Sequence, residues 1–111
     1  MYSKDLLKGT LQTIILKLLE ENKRMYGYEI TQTVKELTAG KIAITEGALY
    51  PALHKLEADG VVTTEQEFIG KRVRKYYSLT QTGNTLVTTK VNEVNDFMAS
   101  VKLILNAKTT A

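Results

Sequence analysis

Lys71, Arg72, Arg74 and Lys75 put four cations into five positions, and Tyr76 and Tyr77 follow directly. Clustered ammonium and guanidinium groups neutralise phosphates, and a guanidinium fork can hold two phosphate oxygens at once. From Phe68 to Asn92 the chain holds no Asp or Glu, while Lys90 adds a further cation there. A one-sided basic stretch is the electrostatic footprint of a nucleic-acid binder. Other chemistry has little to work with. There is no cysteine, and the one histidine is His54. Disulfides, thiolate metal sites and a cysteine nucleophile are excluded. A transition-metal site would rest on carboxylates and a single imidazole, and no nucleophile, base and acid set is in view. No metal, cofactor or catalytic residue is expected, and the chain does not read as an enzyme. A charge run can also be a plain solvated face, so the case depends on the elements that carry it.

Those elements belong to a chain of 111 residues with 43% apolar and 24% charged residues and a net charge of +3. That is the size and composition of one soluble globular domain, with a core that is real but not large. Lys4, Asp5 and Lys8 interrupt the apolar residues at the start, so no signal peptide is expected. The longest apolar runs are a few residues, far short of a membrane span. With no cysteine to need oxidation, the expected compartment is the cytoplasm.

Leu7, Leu11, Ile14, Ile15, Leu18 and Leu19 recur at three and four residues, which predicts an amphipathic helix from about Lys4 to Glu21. Gly9 inside it suggests that something packs closely against the backbone. Tyr28, Ile30, Val34 and Leu37 predict a second helix over about Tyr26 to Ala39, with Gly40 placed for a left-handed cap. Ile42 and Ile44 suit a very short strand or an extended link. Thr45 offers a hydroxyl N-cap to a third helix, Glu46 suits its first turn, and Leu49, Leu53 and Leu56 line one face as far as about Asp59. Pro51 lies inside this helix and should kink or loosen it.

Val61 to Phe68 and Val73 to Leu79 alternate like strands, joined by a longer, glycine-containing loop at Ile69-Gly70-Lys71. In the returning strand Arg72 and Arg74 share one face, Val73 and Lys75 the other. Thr80 opens a last helix of about 25 residues, striped by Val87, Val91, Val94, Met98, Val101 and Leu105 and widened by Phe97 and Ile104. Residues 108–111 should fray. Three helices, a hairpin and a long helix make a mainly α fold with a small β-hairpin (α+β), a winged helix-turn-helix. Residues 1–79 form the reading head and residues 80–108 a C-terminal dimerisation helix.

Particular strings sharpen this. Tyr26-Gly27-Tyr28-Glu29-Ile30 opens the second helix. Glu46-Gly47-Ala48-Leu49-Tyr50-Pro51-Ala52-Leu53 runs through the third, with Leu56-Glu57-Ala58-Asp59-Gly60 behind it. Lys71-Arg72-Val73-Arg74-Lys75-Tyr76-Tyr77-Ser78-Leu79-Thr80 and Gly83 close the set. Together with Leu11 to Leu19 they resemble the PadR-like transcriptional regulators over about residues 6 to 87. The resemblance is to the smaller branch, with one long helix after the wing. It implies a homodimeric repressor with one winged helix per subunit, a C-terminal helix that exchanges contacts with the partner, and release by a small hydrophobic or aromatic effector. Some members stack flat ligands on a tryptophan of the C-terminal helix; this chain has no Trp, and Val94 stands at that place.

Double-stranded DNA is therefore the expected partner, without membrane attachment. In a helix-turn-helix the start of the third helix enters the major groove, where Gly47 and Ala48 let the backbone approach, and Thr45 and Tyr50 can donate to phosphates or base edges. Each has a plainer use, Thr45 as a cap only and Tyr50 as a half-buried core residue. His54 is either a backbone contact or a neutral surface residue. Lys55 is a phosphate candidate, as are Tyr26 at the start of the second helix and the wing cations Lys71, Arg72, Arg74 and Lys75. Of Tyr76 and Tyr77, one should pack on the core and one lie nearer the DNA backbone. Leu7, Leu11, Val87, Val91, Val94, Phe97, Met98, Val101 and Leu105 are expected at the dimer seam. An effector cavity, if the seam is not solid, would be lined by Ile15, Leu18, Val94, Phe97 and Met98. A protein–protein adaptor built on a winged helix is the other reading, and a cluster of four cations speaks against it.

Overall fold

The computed structural model describes residues 4–108. Its elements run α1 (Lys4–Lys8), α2 (Leu11–Asn22), β1 (Arg24–Tyr26), α3 (Gly27–Leu37), α4 (Glu46–Ala58), β2 (Val62–Ile69), β3 (Arg72–Leu79) and α5 (Gln81–Leu105). The three strands form one antiparallel sheet in the order β1-β3-β2. Helices α2, α3 and α4, the start of α5 and one face of the sheet enclose a core that includes Ile15, Leu16, Leu19, Ile30, Leu49, Leu53, Tyr77 and Val87. Each such side chain gains about 1.5–3 kcal/mol from leaving water. The fold class expected from the sequence is the fold observed.

Three local readings change. The single helix expected over Lys4 to Glu21 is two. Thr10 breaks it, turning its amide and its hydroxyl back onto the Leu7 carbonyl at 3.0 and 3.1 Å. Gly9 has no close neighbour: a Cβ there would meet nothing within 4 Å. Second, Arg24–Tyr26, where the sequence put no strand and started the second helix at about Tyr26, is a strand. Its three residues pair with Ser78, Tyr77 and Tyr76 of β3 and are too few for alternation to show. Ile42–Ile44 stays an extended link, anchored by buried Ile44. Third, the hairpin loop is tighter than expected. The ladder reaches Ile69↔Arg72, so only Gly70 and Lys71 turn the chain. Gly70 takes φ +63° and Lys71 stays at negative φ, as a type II′ turn demands. Helix α4 continues through Pro51, and the loosening expected there is the one bond that its missing donor removes near the start of the helix.

The core does not stop at residue 79. Thr80 caps α5 by accepting from the Gly83 amide at 3.1 Å, and its hydroxyl lies 2.6 Å from the Gly60 carbonyl and 3.1 Å from that of Val61. Its own amide donates to Val61 at 3.1 Å. One side chain thus ties the end of α4, the base of the hairpin and the start of α5. Thr80→Val keeps the shape and removes the hydroxyl. It is expected to cost about 1–2 kcal/mol, read as a lower urea midpoint at unchanged slope. An unchanged midpoint would refute the role given to this cap. The fraying expected at 108–111 falls, beyond Lys108, outside the described residues.

Candidate nucleic-acid interface

Helix α4 starts on Thr45, whose hydroxyl accepts from the Ala48 amide at 3.3 Å. The cap does not bury the residue. Thr45, Gly47, Tyr50, His54 and Lys55 are exposed, and Ala48 is half-buried. Leu49, Leu53 and Leu56 face the core, so the opposite face of the helix is free. Lys55 pairs with Asp59 one turn on at 3.2 Å.

Tyr50 is the hinge between α4 and its neighbours. Its hydroxyl stands 2.6 Å from where a Cβ on Gly27 would be, so only a residue without a side chain lets the ring lie on the start of α3. Burial pushes the Tyr77 phenol up, with Tyr50 and Glu57 adding to the effect, so Tyr77 stays neutral and packs in the core. Tyr76, one residue before it, lies on the other face of the sheet. Of this tyrosine pair, Tyr77 is the one that packs on the core.

Strand β1 covers β3 only from Tyr76 to Ser78, which leaves the edge of β3 from Arg72 to Lys75 unpaired on that side. A groove of about 640 Å³ opens there. Tyr26, Gly27 and Tyr28 form its wall at the start of α3, Tyr50 enters from α4, and Arg72, Arg74 and Lys75 line it from the wing. Of the wing cations, Lys75 leans to Glu57 at 3.8 Å, and Arg74 lies with its guanidinium 4.0 Å above the Tyr26 ring. Lys71, Arg72 and Arg74 have no carboxylate partner among the described residues. Free cations, phenols and a helix start along one groove can hold a polyanion by charge, by hydroxyl donors and by amides. Eight of the residues expected to meet DNA fall into two sets: Tyr26, Tyr50, Arg72, Arg74 and Lys75 around the groove, Thr45, Gly47 and Ala48 at the head of α4. Lys71 stands at the tip of the wing, and His54 and Lys55 lie further along α4.

The PadR-like family of transcriptional regulators has a sequence model that matches residues 15–89, which is most of this head. The chain belongs to that family. It is 36% identical over 67 residues to the transcriptional regulator Rv3488 of Mycobacterium tuberculosis, covering 60% of each chain. A solved transcriptional regulator of Clostridium thermocellum superposes with a TM-score of 0.77 at 28% identity, over 98% of this chain and 100% of that one. PadR of Bacillus subtilis, solved in complex with operator DNA, superposes with a TM-score of 0.67 at 29% identity. That match covers 74% of this chain and 45% of the longer PadR chain. The winged helix read from the sequence is thus the fold of the family, and a relative with this fold binds operator DNA.

The PadR-like head has polar parts that its sequence did not advertise. Arg24 spans two carboxylates of β2, Glu65 at 2.5 Å and Glu67 at 2.8 Å, and lies 4.0 Å above the Tyr76 ring. Glu65 and then Glu67 raise the guanidinium above its already high range. The partners are 41 and 43 residues away, so nothing local signals the clamp. Phe68, Ile69 and Val73 are exposed near the wing tip. The alternation of β2 could have shown Phe68, since it lies two residues past Gln66 on a face that has by then run beyond the core.

The apolar residues expected at the seam divide. Leu11 and Val87 are buried in this chain's own core and are withdrawn from the dimer set, and Ile15, fully buried, is withdrawn from the effector set. They sit on the inner edge of stripes whose outer edge is free. Leu7, Val91, Val94 and Val101 are half-buried, while Phe97, Met98 and Leu105 stand exposed. Leu18 and Val94 line an apolar recess of about 280 Å³ between α2, α3 and α5. Phe97 and Met98 face a second, of about 330 Å³, with Leu6 and Leu7. The five effector candidates do not form one cavity. Among the described residues no helix is long and apolar enough to cross a membrane, and no cluster suited to a metal is present.

Proposed function

We propose that this chain is a dimeric repressor that binds a pseudo-palindromic operator through α4 and the β2–β3 wing. The observation that carries the reading is the groove between α3, α4 and β3, where Tyr26, Tyr50, Arg72, Arg74 and Lys75 converge. Thr45, Gly47, Ala48 and Tyr50 at the start of α4 read the major groove, with His54 and Lys55 one turn behind. Lys71, Arg72, Arg74 and Lys75 place the wing on the flanking phosphates. The operator-bound B. subtilis relative supports the same use of this fold. Two heads read half-sites about 34–36 Å apart, one helical turn of the duplex. The outer stripe of α5, with Leu7 of α1, joins them. A small hydrophobic or aromatic effector enters at Leu18 and Val94 or at Phe97 and Met98, and shifts the population of head-to-head angles.

The test is affinity for DNA from the protein's own promoter region, followed by fluorescence anisotropy across salt concentrations. Binding should weaken steeply with salt, since each neutralised phosphate contributes a slope of about −0.9. Arg72→Ala with Arg74→Ala should flatten the slope by about two such contacts and weaken binding to every sequence alike. Affinity that ignores salt, or a double variant that binds like the parent, would refute the reading and favour a protein–protein adaptor.

A further inference from the structure

The outer face of the sheet carries Arg24, Arg72 and Arg74 with Glu65 and Glu67, and the pairing among them is lopsided. Arg24 takes both carboxylates, Glu65 at 2.5 Å and Glu67 at 2.8 Å. Arg74 takes neither, although Glu67 is its direct partner across the strands. Directly opposed residues of opposite charge attract, so Glu67 would be the natural mate of Arg74. Instead the Arg74 guanidinium lies 4.0 Å above the Tyr26 ring at the rim of the groove, with Nη1 3.5 Å from the Tyr76 hydroxyl. Tyr26 and Tyr76 meet edge to face with centroids 5.6 Å apart, and Arg24 lies over the Tyr76 ring at 4.0 Å. Pairwise contacts thus link Arg24 to Tyr76, Tyr76 to Tyr26, and Tyr26 to Arg74. Glu29, which accepts from the Tyr26 amide at 3.1 Å, is the further acid near Arg74.

We propose that Arg24 is a positioning residue for Arg74: by holding Glu65 and Glu67 it keeps those carboxylates off Arg74 and leaves that guanidinium on Tyr26, free for a phosphate. The inference rests on the reading of Arg74 as a DNA contact. Without Arg24, Glu67 is left with Arg74 as the cation directly opposite it across the strands, and a guanidinium held by a carboxylate is less available to phosphate. Arg24 itself does not need to touch DNA for this to hold. Its two terminal nitrogens are already engaged, Nη1 on Glu65 and Nη2 on Glu67.

A double-mutant cycle on the full chain separates this role from a general loss of positive charge. The readout is operator affinity and its salt slope for wild type, Arg24→Gln, Arg74→Ala and the pair. Arg24→Gln should weaken binding about tenfold and lower the slope by about one phosphate contact, as Arg74→Ala does. In the Arg74→Ala background, Arg24→Gln should change nothing further. Additive losses would mean that Arg24 acts by charge alone, and wild-type affinity in Arg24→Gln would mean that it does not act; either overturns the proposal. If Arg24→Gln fails to fold, the triple variant Arg24→Gln, Glu65→Gln, Glu67→Gln carries the test. It should bind like wild type when Arg74 is present and lose about tenfold when Arg74→Ala is added; weak binding with Arg74 in place overturns the proposal. Wild-type protein that shows no salt-dependent binding would instead sink the DNA reading on which this rests.

Discussion

Gly83→Ala is expected to lower the stability of the fold by about 3 kcal/mol or more, which for a domain of this size lowers the melting temperature by roughly 12 °C. Gly83 is the third residue of α5 and is buried. A methyl group there would overlap the Val61 carbonyl oxygen and come within 3.2 Å of Leu79 Cδ2. The first of these is backbone and cannot swing away. It is also the oxygen that accepts from the Thr80 amide at 3.1 Å, so moving it breaks the joint that sets α5 on the head. Glycine's backbone freedom is not the issue, since Gly83 lies in a regular helix turn, where alanine is otherwise preferred. Gly9→Ala is the control. Nothing lies within 4 Å of its Cβ position, and φ there is not positive. It should change stability by less than about 0.5 kcal/mol. Thermal unfolding of both variants checks the pair of statements. Equal effects would mean that the close approach at Gly83 is relieved at little cost.

This contrast marks what was legible in the sequence. Thr45, Gly40, Gly60 and Thr80 each signal a helix end by chemistry that acts over a few residues, and the elements they bound stand close to where the sequence put them. The cation run at Lys71 to Lys75 was legible for the same reason, because the β-hairpin that carries it is a local structure. What failed was non-local. Arg24–Tyr26 is a strand only because β3 arrives beside it, fifty residues on. Gly9 and Gly83 look alike in the sequence, and only the second is pressed by another segment. Leu11 and Val87 belong to stripes that run from a core edge to a free edge, and periodicity does not say where along that width burial ends. The groove was half legible: the cations and Tyr50 were named, but their meeting at Tyr26 depends on Gly27 admitting the Tyr50 ring.

Phe97→Asp combined with Ile104→Asp is expected to turn the protein into a folded monomer and to weaken operator binding by a factor of about 10²–10⁴. Alone, the chain leaves Phe97, Leu103, Ile104 and Leu105 mostly exposed on α5, and Leu6 on α1, next to the recess that holds Met98. A single folded chain gains nothing from this display, and large exposed apolar patches usually mark an interface. A second copy of the same helix is the simplest cover, because a two-fold seam matches one stripe to itself. The two positions are 64% and 73% exposed, so carboxylates there stay hydrated in the lone chain and leave its core untouched. In a seam the same carboxylates would be stripped of water beside each other, which is costly. The loss of DNA affinity then follows from geometry rather than from any damage to the groove. Two linked heads bind the second half-site as an intramolecular event, while a monomer must pay the full association cost at each half-site. Sedimentation gives the mass against the 12.4 kDa of one chain, and anisotropy gives affinity for a full operator and for a single half-site. Half-site affinity should be unchanged while full-site affinity collapses towards it. A variant that remains dimeric, or one that loses half-site affinity as well, would place the join between heads somewhere other than α5.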